Sequence, residues 1–421
     1  MAMYSQSETE HVMKVQEVIL RATSGRISWA DAADILGISY RSMMRWKSDY
    51  HTHGYDGLFD RRNQTPSPKR VPFEQVEFVL KLFKEKYFDF NVKHFHEKLL
   101  SDYGIQLSYP WVKKALQTAG YIPIYKRGKK HRMRRERRPL RGMLLHLDAS
   151  KHAWITGSQT QWDLIVIMDD ATNEVYYAEF VPEESTASCM KALRFVIETQ
   201  GLFCALYTDQ ASHFAYTPKA GEPPDRSKKT QIQRALEELS IEHILAFSPQ
   251  ARGRSERLFG TWQGRLPQEL RHRGIRTIEL ANQFLKEHFI PWHNQNLTVP
   301  ARDKGSAFVP YQGNQLDRIF SIQHQRVAAP DNTISFGKFT LQIKPSSLRI
   351  SFAKCSVKVY EHLDGTISVG YGPHSIGRFD AQGRPLTEKK GPLQSNGKII
   401  RARFAYKARS QSKTYETINQ N

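Results

Sequence analysis

Residues 143–182 read MLLHLDASKHAWITGSQTQWDLIVIMDDATNEVYYAEFVP. Three apolar, β-prone runs stand in this stretch: MLLHLDAS, TQWDLIVIMDD and EVYYAEFVP. Turn-forming pieces such as DDATNE separate them, so they read as three strands. Further along, ESTASCMKALRFVIETQG has a helical period and ends at Gly201. LFCALYTD is a fourth strand, TQIQRALEELS a helix and IEHILAF a short fifth strand. A long helix then runs through SPQARGRSERLFGTWQGRLPQEL (248–270), followed by TIELANQFLKEHFIPWHNQN. The order β-β-β-α-β-α-β-α predicts a mixed α/β sheet layered with helices over 142–300.

On the amino-terminal side, residues 1–60 read as a helix-turn-helix. Ser28 with Asp31 fits a capping box. Ala32, Ile35 and Leu36 form an apolar stripe, Gly37 breaks it, and Ser39 can cap a second helix whose Met43 and Trp46 face inward. That second helix offers Tyr40, Arg41 and Arg45 to a DNA groove. Residues 61–71 are a linker. Residues 72–125 read as a second helix-turn-helix or a winged helix, with Ser108 as a cap, Val112 and Leu116 inward, and Lys113 and Lys114 outward toward DNA. In KRGKKHRMRRERRPLR (126–141), ten of 16 residues are Lys or Arg. This basic linker reads as an arm that contacts phosphates, through Lys129, Lys130, Arg132, Arg134 and Arg135.

Beyond the sheet, 301–330 is an irregular connector. Alternating runs over 331–385, with Asp364 and Gly365 as a hairpin turn, predict a small β-barrel. The polar, basic tail from 386 to 421 is expected to be flexible.

The chain of 421 residues is too long for one ordinary core, and 62 Lys+Arg against 42 Asp+Glu give a net charge of +20. A surplus this large attracts polyanions, which places nucleic acid first among partners. No apolar run approaches the roughly 20 residues that span a bilayer. The polar start MAMYSQSETEHVMK lacks a signal-peptide core, so a cytoplasmic protein is expected. Three distant cysteines argue against a disulfide framework. Cys204, in an apolar run, reads as a small buried hydrophobe.

Three acids fall at telling places. Asp148 ends the first strand, Asp209 ends the fourth, and Glu256 lies one turn into a helix. Only a fold can gather residues this far apart. Three clustered carboxylates repel one another unless cations sit between them. Magnesium suits such a site, since it takes oxygen ligands from a few carboxylates and completes its shell with waters and phosphate oxygens. Two such ions serve phosphoryl transfer. Around Glu256, Arg252 and Arg254 can hold DNA phosphates, and Gln263, on roughly the same helix face, can touch DNA. Gly253 and Gly260 leave room for a close backbone. For Glu256 alone, an ordinary ion pair with a neighbouring Arg is the bland alternative. Asp169 and Asp170 read as turn formers, Asp163 as a partner for a Lys or Arg, and His213 as structural, with a substrate contact as its alternative.

At these residues the chain resembles the DDE transposases of bacterial insertion sequences with a retroviral-integrase-type catalytic core, and most of all the ISNCY-like group. The resemblance lies in LHLDAS, YTDQASHF and SPQARGRSERLFGTWQGRL, in that order, with HNQNLTVPARDKGSAF after them and GYDGLFDRR after the first helix-turn-helix. It implies a multidomain protein: amino-terminal helix-turn-helix units, an α/β RNase H-like catalytic core and a carboxy-terminal small β-barrel. It implies Asp148, Asp209 and Glu256 as the catalytic and metal-binding triad, two Mg²⁺ ions with Mn²⁺ able to substitute, and double-stranded DNA (transposon ends and target) as partner. The activity implied is binding of terminal inverted repeats, strand cleavage and strand transfer, by at least a dimer on paired ends in the bacterial nucleoid. The spacing between Asp209 and Glu256 is longer than in many relatives, through a surface loop at 218–231. A non-catalytic DNA-binding regulator and an RNase H-like nuclease are the alternatives.

Overall fold

In a computed structural model of the protein, the described residues are 6–59, 70–124, 136–158, 160–216, 225, 227–246 and 253–386. The chain divides into two compact units, Met1–Gly128 and Lys129–Asn421.

The first unit is helical. Its opening helix, α1 (Gln6–Thr23), is absent from the sequence reading. Its signal is the spacing of Val12, Val15, Ile19 and Ala22, which places four small apolar side chains on one face, and all four are buried. Next come α2 (Trp29–Ile35) and α3 (Tyr40–His53). The Ser28–Asp31 capping box is present, and Ser39 caps α3 by accepting from the Ser42 backbone N–H. The turn between the helices needs a left-handed residue, and Gly37 supplies it at φ +66°. A 3₁₀ turn, Gly54–Leu58, folds back on α3. There a Cβ on Gly57 would stand 2.3 Å from the Asp49 carbonyl oxygen, so only glycine fits.

Three further helices, α4 (Phe73–Lys86), α5 (Val92–Tyr103) and α6 (Tyr109–Thr118), enclose a second core of Val79, Phe83, Phe95, Leu99, Val112 and Leu116. No strand occurs among the described residues 70–124, so they form no wing. Ser108 occupies the cap position of α6 without a side-chain cap bond, and the first turn is set by Pro110.

The second unit is built on a five-stranded sheet: β1 (Leu144–His152), β2 (Trp162–Asp169), β3 (Val175–Val181), β4 (Ala205–Thr208) and β5 (Glu242–Leu245). Their order is β3-β2-β1-β4-β5. The first three strands form an antiparallel meander. Helix α7 (Thr186–Thr199) then carries the chain to β4, parallel to β1, and α8 (Gln231–Glu238) carries it to β5, parallel to β4. This is the RNase H-like arrangement expected. Leu145, Leu147, Ile165 and Ile167 form one face of the sheet and pack under α7 and α8. Leu164, Val166 and Met168 form the other face and pack under α9 (Gly253–Gln263), α10 (Leu266–His272) and α11 (Ile278–Phe284).

The long helix expected through Glu256 is broken after Gln263. Gly264 is a poor helix former, and Pro267, which cannot donate an intrahelical bond, restarts the chain in the first turn of α10. The segment after α11 passes through a π turn, Leu285–Phe289, into α12 (Ile290–Asn296). Pro291 at its start removes a backbone donor there.

The connector is more ordered than its composition suggests. It holds α13 (Leu316–Ile319) and β6 (Ile322–Val327). Strand β6 joins β9 (Ser356–Glu361), β10 (Ile367–Tyr371) and β11 (His374–Phe379) in a four-stranded sheet ordered β11-β10-β9-β6. The hairpin β7 (Thr333–Phe336) and β8 (Phe339–Gln342) closes over it around Ile334, Leu341, Val359, Val369 and Phe379. The two sheets share one core where the small barrel is expected.

Candidate active site

Strand alternation decides which face each acid takes. On β1, Leu145 and Leu147 point into the core beneath α7 and α8. His146, Asp148 and Ser150 therefore point to the opposite face. Asp148 is paired with Val166, whose side chain belongs to the core under α9. It is largely buried, at 8% exposure, and its Oδ1 accepts from the Ala149 N–H at 3.0 Å.

Asp209 is brought to Asp148 by register. The β1–β4 pairs are Leu144 with Ala205, Leu145 with Leu206 and His146 with Tyr207, a constant offset of 61. The same offset, carried two residues further, sets Asp148 level with Asp209 (209 − 148 = 61). Neighbouring strands lie about 4.8 Å apart. Asp209 sits just past the end of β4, half-buried, and its Oδ1 accepts from the Ala211 N–H at 2.9 Å. Beside it, Gln210 donates to the Ala246 carbonyl at 2.8 Å, tying the loop to the end of β5.

Glu256 comes from α9, which is pinned to β1 near both ends. Toward its start, the Arg254 Nη1 lies 2.9 Å from Asp170 Oδ1, and the same oxygen lies 2.8 Å from His146 Nε2. At its far end, Gln263 Nε2 donates to Ser150 Oγ at 3.1 Å. His146 and Ser150 bracket Asp148 on one face of β1, and Arg254 and Gln263 bracket Glu256 on α9. Seven residues separate Glu256 from Gln263, close to two helical turns, so both project from nearly one face. Helix and strand thus run in the same sense, with Glu256 over the segment that holds Asp148. Glu256 is exposed and makes no ion pair with a described residue. The bland alternative of a surface pair finds no partner among them.

Asp170 organises this corner. It is fully buried and also accepts from the Arg138 backbone N–H at 2.8 Å. Burial alone would raise its pKa, but the His146 hydrogen bond, the Arg138 N–H and the charges of His146 and Arg254 outweigh that and hold it below the usual carboxylate range. Asp169 is also fully buried and accepts from the Gly142 and Thr172 N–H groups, and burial raises its pKa despite those bonds. The pair is therefore a buried anchor as well as a turn. The sequence hint was slight: a polar residue, His146, stands in a strand otherwise given to leucine.

Several expected roles change. Arg254 is read from the sequence as a DNA contact, but its guanidinium is turned inward, bonded to Asp170 and to the Asp170 and Glu136 carbonyls. The buried acid that directly follows β2 captures it. The end of the basic linker is likewise docked: Arg137 bonds the Asp170 and Ala171 carbonyls, and Arg141 pairs with Glu174. Asp163 accepts from the Glu184 N–H at 2.8 Å, where a Lys or Arg is expected. Cys204 is exposed, not buried as expected, and it lies just before β4 rather than within it. His213 bonds Glu184 at 3.1 Å. In the first unit, Tyr40, Arg41, Arg45, Lys113 and Lys114 are all exposed. Lys129, Lys130, Arg132, Arg134, Arg135, Arg252 and most of the 218–231 loop lie outside the described residues. One group of three potential metal ligands among the described residues has its donor atoms all within 4.8 Å of one another, and it is Glu184, Cys189 and His213.

Residues 16–65 match a family described as "Helix-turn-helix domain". Over 361 residues the chain is 28% identical to "Putative transposase y4bF" of Sinorhizobium fredii, covering 86% of this chain and 79% of that one. The chain is related to the transposases of insertion sequences. A second relative, the transposase for insertion sequence IS1202 of Streptococcus pneumoniae, is 28% identical over 317 residues, 66% of this chain and 67% of that protein. Among solved structures, the simian T-cell lymphotropic virus intasome in complex with a PP2A regulatory subunit overlaps at a TM-score of 0.30 with 15% identity, over 67% of this chain and 91% of that chain. The HTLV-2 integrase catalytic core in complex with magnesium overlaps at 0.29 with 16% identity, over 39% and 94%. These overlaps are loose, and the fold stands on strand order and register. This transposase relative has no helix, among the described residues, long and apolar enough to cross a membrane.

Proposed function

We propose that the protein is a DDE transposase: it binds the terminal inverted repeats of its own insertion sequence, cleaves at the repeat boundary and joins the freed 3′-hydroxyl to target DNA. The observation that supports this most directly is the convergence just described: Asp148 on β1 and Asp209 just past the end of the parallel neighbour β4, level by register, with Glu256 on the helix above. The donor set is all carboxylate oxygen, which fits magnesium and fits softer metals poorly. Asp148, Asp209 and Glu256 would hold two Mg²⁺ ions, which would supply the positive charge that phosphoryl transfer needs at the attacking and leaving oxygens.

The chain's own residues do the rest. Asp170 holds Arg254, and Ser150 holds Gln263, so Glu256 is presented at a fixed height over β1. The exposed backbone of α9 is open to DNA. A Cβ added at Gly253 or Gly260 would meet nothing within 4 Å, so the fold does not require glycine at either position. Close approach of a DNA strand gives them a reason. Tyr40, Arg41 and Arg45 on α3, together with Lys113 and Lys114 on α6, bind the repeat, and a surplus of 20 positive charges draws DNA in. Two ends must be held together, so the working form is at least a dimer on DNA.

The test is incubation with Mg²⁺ and a labelled duplex carrying the repeat that flanks the gene, resolved on a denaturing gel, with Glu256→Gln beside wild type. Nicks at the boundary and longer joined products, both absent in the variant, are expected. Nicks without joining point to a nuclease. Tight binding with no cutting in Mg²⁺ or Mn²⁺ points to a regulator.

A further inference from the structure

Beside Asp209 lies a second constellation that the reaction above does not use. Glu184 stands in the turn before α7, Cys189 in the first turns of that helix, and His213 in the turn after Asp209. Glu184 Oε1 is 3.1 Å from His213 Nε2 and 3.6 Å from Cys189 Sγ. We propose that Glu184, Cys189 and His213 form a binding site for a zinc-class divalent cation, separate from the three acids of the proposed reaction.

The donor chemistry selects the metal class. One thiol, one imidazole and one carboxylate are a poor set for magnesium and a good one for zinc. The spacing agrees. Zn–O and Zn–N bonds of about 2.0–2.2 Å and a Zn–S bond near 2.3 Å, at tetrahedral angles, give O···N and O···S edges of roughly 3.4 and 3.6 Å. The observed separations are close to both edges.

The three side chains are also held in place. Glu184 is fixed through its N–H to Asp163 at 2.8 Å. Cys189 is fully buried on a helix with a Ser185–Ser188 capping box. His213 precedes Phe214, which is 1% exposed and locks the turn. Glu184 and His213 keep 20% and 12% of their side chains exposed, which leaves a path for an ion. Charge points the same way. Burial, then the Glu184 carboxylate, and more weakly Asp209, push the Cys189 thiol well above the usual thiol range. A bound cation offsets that cost and converts the thiol to a thiolate ligand. It would also tie the turn after Asp209 to the start of α7, whether or not the chain cleaves DNA.

Cobalt(II) makes the test spectroscopic, since thiolate ligation gives a near-ultraviolet charge-transfer band that oxygen ligands do not. The full chain, freed of metal with chelator, is titrated with Co²⁺. The main variant is Cys204→Ser/Cys355→Ser, which leaves Cys189 as the sole thiol and alters two residues outside the cluster. One equivalent of Co²⁺ should produce the band in wild type and in this variant, and Zn²⁺ should bleach it. Cys189→Ser should abolish the band, and His213→Ala should weaken binding at least about tenfold. Absence of the band from the Cys204→Ser/Cys355→Ser protein, or its survival in Cys189→Ser, overturns the assignment. Loss of DNA cleavage plays no part in the readout.

Discussion

Arg254 and Asp170 form a buried ion pair that ties the helix of Glu256 to the strand of Asp148. The guanidinium lies 2.9 Å from the Asp170 carboxylate, and the same carboxylate takes a hydrogen bond from His146, two residues before Asp148. Removing one partner of a buried pair leaves the other charge uncompensated, which typically costs about 3–5 kcal/mol. Asp170→Ala and Arg254→Ala should each lower stability by that order in urea unfolding. The double variant should fall short of their sum, because the second change removes a charge already stranded. Additive losses would show that the two residues act independently.

Under the proposed role of the three acids, magnesium binds the native state and not the unfolded chain. Mg²⁺ at about 100 times its Kd should then stabilise wild type by about 2.7 kcal/mol. Asp148→Asn should lose most of this response and be no less stable than wild type without metal, since one source of repulsion is gone. Thermal melts with and without Mg²⁺ separate these effects. An unchanged Mg²⁺ response in Asp148→Asn would remove this residue from the metal site.

Gly260 offers a split between stability and function. It lies within α9, has no neighbour within 4 Å of an added Cβ, and has ordinary helical backbone geometry. Glycine inside a helix costs up to about 1 kcal/mol relative to alanine. Gly260→Ala should therefore raise the unfolding midpoint while lowering DNA cleavage, if a DNA strand approaches the helix there. A variant that is both more stable and fully active would mean that DNA passes elsewhere.

How far the sequence speaks depends on the range of the interaction. The five strands of the main sheet, the Ser28 cap and the Gly37 turn follow from periodicity and local chemistry, which act over a few residues. Asp148 and Asp209 are legible as acids closing apolar runs, but only Asp209 lies at a strand end: β1 continues past Asp148 to His152, because its pairing with β2 extends as far as Trp162. Asp170 is not legible, since a double Asp before Ala-Thr-Asn looks like any turn until His146 and Arg254 converge on it from 24 and 84 residues away. Helix α1 carries a faint signal for another reason: its polar residues mask a narrow apolar face of Val12, Val15, Ile19 and Ala22. The membership of β6 in the carboxy-terminal sheet is fixed by pairing with β9, about 30 residues later, and its own sequence, IQHQRV, carries no strong alternation.

The exposed basic residues of α3 should read as DNA contacts in salt. Arg41→Ala and Arg45→Ala should each weaken repeat binding, and one that loses a phosphate contact should reduce the slope of log K against log salt by about one. A variant that loses discrimination between repeat and random DNA, with little change in slope, marks a base contact instead. Fluorescence anisotropy over a salt series distinguishes them, and no change in either quantity would take α3 out of the interface.

Stability should also fall in mildly acidic solution, and His243 is a main cause. Burial lowers its pKa to about 4, against about 6.5 for an unperturbed histidine, and its Nε2 lies 2.9 Å from Thr208 Oγ1, next to Asp209. The folded state keeps the ring neutral, so the unfolded chain binds more protons between these two values. Stability is therefore full above pH 6.5 and is lost progressively as pH falls toward 4, by on the order of 3 kcal/mol at most. His293 is lowered by burial as well and adds in the same direction. Asp170, held below the usual carboxylate range, contributes stability that goes only at lower pH, below about 3.9. His243→Gln should thus flatten the slope of unfolding free energy between pH 6.5 and 4 without abolishing it. An unchanged slope would mean that His243 titrates alike in the folded and unfolded chain, and that Thr208 and the sheet around it stay hydrated.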